Sequence, residues 1–158
     1  MRKKLISTLS MVAMICCLIM TNGREAQAAE VDSNICVDGS YLTQELESSV
    51  TIYPRTRGVY MLNGSGTITN PGIGKVGAGG STVAKFTVNQ IGVTVRVDRY
   101  VNGSWVTHTS WNHNLYNTYY AGTSKILTVP RGYYYRVVTS HWAASDTAMG
   151  STDGIWIA

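Results

Sequence analysis

Residues 29–158 contain one cysteine, Cys36, one phenylalanine, Phe86, and after Gly58 no glutamate at all. A lone cysteine excludes an intramolecular disulfide in that segment, so its stability must come from an apolar core. Its 130 residues are enough for one such core. The acids after Gly58 are Asp98, Asp146 and Asp153 alone, which leaves little material for the paired carboxylates of glycoside hydrolysis. No Gly-x-Ser-x-Gly elbow occurs, and no cysteine beyond Cys36 offers a nucleophile. The reading is therefore of a non-catalytic domain that needs no cofactor.

Charge is also in short supply. The whole chain has a formal net charge of +4, but residues 29–158 hold nine basic and eight acidic side chains. The excess belongs to the first 28 residues. No basic stripe remains for a phosphate backbone, and nucleic acid is not an expected partner.

Those first residues have a different logic. Arg2, Lys3 and Lys4 are followed by an uncharged run from Leu5 to Met20, and then by Ala26-Gln27-Ala28. Basic head, apolar middle and small-x-small exit describe a secretory signal peptide, with cleavage expected after Ala28. The apolar run is short of the roughly 20 residues that span a bilayer. The expected product is secreted, extracellular or associated with the cell envelope, with no membrane span left after cleavage.

Residues 29–54 read as an N-terminal acidic arm or linker. Five acids, Glu30, Asp32, Asp38, Glu45 and Glu47, fall among sparse apolar residues. One helical turn is expected at Leu42 to Glu47. Pro54-Arg55-Thr56-Arg57-Gly58 then punctuates the chain, and residues 55–158 form the predicted domain.

That domain is rich in what favours strands. Residues 29–158 have 23 Val and Ile against five Leu, and branched side chains fit a pleated surface. No segment after Gly58 repeats at helical spacing. Ile91, Val93, Val95 and Val97 alternate with Thr94 and Arg96, a strand with one buried face. Asn102-Gly103 is a strong hairpin signal, and Ser104 to Trp111 is the returning strand, with Trp105 and Trp111 inward. Val59–Thr69 should bury Tyr60, Leu62 and Ile68. Val76–Phe86 should bury Val76, Ala78, Thr82, Ala84 and Phe86. Lys125–Val129 is a short strand. Tyr133–Trp142 should bury Tyr133, Tyr135 and Val137, and Ile155 and Ile157 close the chain. About seven strands in about 100 residues predict an all-β, antiparallel β-sandwich, with a small β-barrel as the alternative.

Several letter patterns carry little chemistry. Gly72-x-Gly74-x-x-Gly77 matches a dinucleotide fingerprint, but the residues after it alternate as a strand where the fingerprint needs a helix. Asn63-Gly64-Ser65 and Asn102-Gly103-Ser104 match the glycosylation sequon. His108, His113 and His141 lack the converging partners of a zinc site. Asp146 and Asp153, in a polar loop, are too few for calcium. No metal site is expected.

The surplus lies in the aromatics: ten Tyr and four Trp. Such rings suit wet interfaces, where a polar tip meets solvent. Tyr134, Trp142 and Trp156 fall opposite the expected core faces, and Tyr119 and Tyr120 fall in an expected loop with Tyr116. Tyr119, Tyr120, Tyr134, Trp142 and Trp156 are thus the candidate ligand-binding residues, for an extracellular glycan or protein.

Asp98-Arg99-Tyr100-Val101-Asn102-Gly103-Ser104-Trp105 and Gly132-Tyr133-Tyr134-Tyr135-Arg136-Val137, with Arg57-Gly58 and Gly66-Thr67-Ile68-Thr69, also carry a resemblance. Over residues 55–158 the chain resembles an uncharacterised family of small exported β-domain proteins of Gram-positive gut-type bacteria. The resemblance implies export and a β fold; it implies no activity and brings no catalytic motif. The function expected is surface recognition outside the cell. The alternatives are a bacteriocin-like antagonist of other cells and, against the scarcity of acids, an envelope-polymer hydrolase.

Overall fold

A computed structural model describes residues 35–54 and 58–158. The leader, its cleavage site, the start of the arm and the Arg55–Arg57 punctuation lie outside the described residues. The described chain is all-β: β1 (Cys36–Val37), β2 (Ser40–Thr43), β3 (Glu47–Ile52), β4 (Met61–Thr69), β5 (Lys75–Val101), β6 (Ser104–Thr128), β7 (Tyr133–Ala143), β8 (Asp146–Ser151) and β9 (Gly154–Ile157). Among the described residues no helix is long and apolar enough to cross a membrane.

The strands form one curled open sheet, a half-barrel, rather than the two separate sheets of the expected sandwich. Its order is β1-β2-β9-β7-β5-β4-β3, with β6 also along β5 and β8 also along β7. The β2–β9 pair is parallel and the other pairs are antiparallel. The organiser is the β5–β6 hairpin. Asn102 and Gly103 both take positive φ, 49° and 83°, the backbone that a two-residue turn needs to match strand twist. β6 follows β5 along its length, with irregularities between Val83 and Val88 and between Val97 and Asp98. Such interruptions bend a strand. Before the first, β5 is paired on its other side with β4; after it, with β7.

The bend folds β5 back over its own second half. Val76 and Ala78 from the first half join Val93, Val95 and Val97 from the second, with Ile68, Tyr135, Val137, Ile155 and Ile157. A second cluster of Met61, Ala84, Val88, Ile91, Ala121 and Ala143 fills the bend. The alternation seen from Ile91 to Val97 is thus a true core face, and Ile155 and Ile157 lie on it too.

Four expectations change. The acidic arm is not separate from the domain: from Cys36 onward it contributes β1, β2 and β3 to the same sheet. β2 pairs with β9 and β3 with β4. Leu42 is buried, Ser40 Oγ donates to the Thr152 carbonyl at 2.7 Å, and no helical turn forms at 42–47. Backbone pairing holds this segment, so its apolar signal is weak. Second, Leu62 is exposed while Met61 is buried. A register shift between Met61 and Asn63 changes the strand's parity. Phe86 likewise turns outward at the β5 bend. Third, Tyr116, Tyr119 and Tyr120 lie within β6, which runs unbroken through the expected loop and through Lys125. Fourth, β7 is buried on both faces. Tyr135 and Val137 face the core, while Tyr134 and Arg136 are covered from the other side.

Candidate functional site: a hydroxyl-lined trough

On the outer side of the β4–β5–β6 sheet, strand alternation lines up small side chains. β4 presents Ser65, Thr67 and Thr69. The register sets Ser81, Gly79 and Gly77 of β5 opposite them, and Gly122, Ser124 and Ile126 of β6 opposite those. Neighbouring strands are about 4.8 Å apart and alternate residues about 6.7 Å apart, so hydroxyls recur on a nearly regular grid. The glycines remove side chains from its middle. The result is an open trough of about 680 Å³ walled by Ser, Thr and Tyr120.

Tyr120 shapes one end. Its phenol lies over Gly122, in space a Cβ would occupy, and about half of the residue stays exposed. Ser65 and Ser81 hydroxyls are hydrogen-bonded at 2.8 Å. Lys125 lines the trough, but its ammonium is held 4.8 Å from the Trp111 ring centroid. Among the described residues the wall contains no carboxylate. Its donors and acceptors are therefore mainly hydroxyls and peptide groups, which suit a neutral, hydroxyl-rich ligand.

The five aromatics expected at a site do not converge. Tyr120 alone among them lines the trough; Tyr119 is exposed elsewhere on β6. Tyr134 is a correction: it is buried, its hydroxyl accepts from Gln44 Nε2 at 3.0 Å, and burial raises its pKa. Trp156 packs edge-on against it, ring centroids 5.0 Å apart. Trp142 is also structural. Its ring covers Gly92, which stands opposite it across β5 and β7, and Nε1 donates to Asn114 Oδ1 at 3.0 Å. Both tryptophans are half-buried. Trp111 leans on the main core as expected, while Trp105 is half-buried over an ion-pair cluster.

That cluster is the other polar concentration. Buried Asp98 accepts from Arg96 Nε at 2.8 Å, Arg96 Nη2 at 3.0 Å, Thr107 Oγ1 at 3.3 Å and Arg136 Nε at 3.4 Å. Arg136 also donates to the Asp38 carbonyl, the Asp38 carboxylate and Ser40 Oγ, beneath the Trp105 ring. Its polar groups are spent on one another and tie the β1–β2 turn to β5 and β7. Arg96 faces outward as expected, but as a lid on Asp98.

Asp146 and Asp153 do not come together on an ion. Asp146 Oδ2 accepts from the backbone N–H groups of Tyr60 and Met61, and Asp153 Oδ1 from that of Tyr41. Gly77, the last glycine of the nucleotide-like pattern, is in β5 on the floor of the trough. Alternating Ser65, Thr67 and Thr69, set against Gly77, Gly79 and Ser81, was the available signal for this site; reading it required the β4–β5 register. Comparison with protein-family models, curated proteins and solved structures returns no match.

Proposed function

We propose that this chain is an exported, non-catalytic recognition domain whose trough binds a neutral glycan. The observation that carries the reading is the Ser/Thr grid over a glycine floor, closed at one end by the exposed ring of Tyr120. Sugar hydroxyls match such a wall, and an aromatic face offers stacking area at low entropic cost. Export rests on the Arg2–Ala28 leader pattern. The curled sheet serves as a sandwich-like support folded from one sheet, with β5 in both halves.

The test is binding of the purified protein to an array of neutral oligosaccharides, followed by titration of any hit. Tyr120→Ala and Thr67→Val should each weaken that binding while the melting temperature holds, and no reducing ends should be released. Absence of any neutral-glycan ligand, or binding indifferent to both substitutions, overturns the reading.

A further inference from the structure

The sheet's free edges are unequal. β3 and β8 are six residues each and β1 is two, and Glu47 and Asp146 add charge to the first two. β6 is 25 residues long, and among the described residues β5 is its only strand neighbour. From Ser104 to Ser124 it contains no Asp, Glu, Lys or Arg and no proline. Monomeric proteins blunt such edges with charge, proline or brevity, because a row of unpaired backbone groups is a template for another strand. This strand uses none of these. Val106, Leu115 and Tyr116 are exposed along the same run.

We propose that β6 is a dimerisation edge, pairing antiparallel with β6 of a second copy of this chain. An antiparallel pair about a two-fold axis matches a segment of the strand to itself, with no gap in backbone partners. Charge agrees. The one ionic residue, Lys125, lies near the strand's end, so antiparallel pairing carries the two copies of it to opposite ends. The regular run stops at Asn117, whose φ is +54°. The paired segment is therefore Ser104 to Tyr116, with the axis at its middle, Ser110. Ser110 is exposed and stands opposite Arg96 on β5. The inference does not depend on what the trough binds.

Sedimentation velocity over a concentration series should show a reversible dimer of the natural protein. Hydrogen exchange should show β6 amides gaining protection as concentration rises. Ser110→Glu places two carboxylates opposite each other across the axis and should weaken association by about tenfold or more. Within one chain the new carboxylate faces Arg96, so folding should survive. Mixing Ser110→Glu with Ser110→Lys should restore the dimer, which a merely misfolded variant could not do. If Ser110→Glu fails to fold, the concentration dependence of β6 exchange in the natural protein decides. A monomer at every concentration, a dimer with unprotected β6 amides, or association unchanged in a folded Ser110→Glu overturns the proposal. Protection of β6 only after addition of an unrelated extended peptide also overturns it, assigning the edge to a different partner.

Discussion

Thr82 and His141 meet inside the curl of the sheet, Oγ1 and Nδ1 2.8 Å apart and both side chains buried. Thr82 spends its single hydroxyl proton on the Gly92 carbonyl, also at 2.8 Å. Its oxygen must then accept from His141, so Nδ1 carries the ring proton. Nε2 is left bare to accept from Thr139 Oγ1 at 2.8 Å. One neutral tautomer satisfies every group. Nitrogen NMR of the imidazole should report a protonated Nδ1 and an unprotonated Nε2 at neutral pH; the opposite tautomer would show this network to be drawn wrongly.

Burial pushes the pKa of His141 down from its ordinary 6.5 to about 4. The unfolded chain therefore takes up the proton first as pH falls. The contribution of the neutral ring is fully present above 6.5, declines between 6.5 and about 4, and is gone below. The loss approaches about 3 kcal/mol at the acid limit. Urea unfolding of the natural protein and of His141→Gln, compared across that window, should give curves whose difference carries this slope. Parallel curves would show that His141 does not titrate between the two states as described.

Loss of either buried member of the ion-pair cluster leaves the other with fewer partners: Asp98 would keep Arg96 and Thr107, and Arg136 would keep Asp38 and Ser40. Arg136→Ala and Asp98→Ala should each cost about 2 kcal/mol, less than removal from an isolated buried pair, because these charged partners remain. Arg136→Ala should also free the β1–β2 segment, read as faster amide exchange at Ser40–Thr43. Intact protection there would mean that β9 alone holds the segment.

Val95 and Arg96 are adjacent on β5 with opposite surroundings: the valine is fully buried, and the arginine side chain is 40% exposed. Val95→Ala should cost about 2 kcal/mol through its cavity. Arg96→Ala should cost less, about 1 kcal/mol, since Asp98 keeps Arg136 and Thr107 as partners. Chemical denaturation of both variants ranks them, and a reversed order would contradict the register of β5.

Trp142→Ala and Trp156→Ala should destabilise the fold, each by about 2 kcal/mol, since both rings are half-buried against Gly92 and Tyr134 respectively. Melting temperatures unchanged in both would return these rings to the role of exposed contacts.

The core was legible where alternation ran unbroken. Ile91 to Val97, Val76, Ala78, Ile155 and Ile157 could be placed because period two needs no knowledge of neighbours. Errors began at irregularities. The register shift at Met61–Asn63 and the bend at Val83–Val88 changed which residues face inward, so Leu62 and Phe86 were placed on the wrong face. β2 is not legible in the sequence because a parallel partner more than a hundred residues away supplies its backbone bonds. Parity alone turns Tyr134 outward, which assumes one wet face; β7 has none at that point. The trough combines glycine and hydroxyl positions on three strands, and only their alignment makes them a surface.

β9 lies in the interior of the sheet, between β2 and β7, rather than at its rim. β2 must therefore wait for a strand more than a hundred residues further along the chain. A chain made only as far as β8 lacks this middle course and cannot seat β2, or β1 beside it, although β3 can already pair with β4. Closure of the domain is thus deferred until residues 154–157 arrive. That order of events leaves the incomplete chain open, with slow, long-range pairing as its cost.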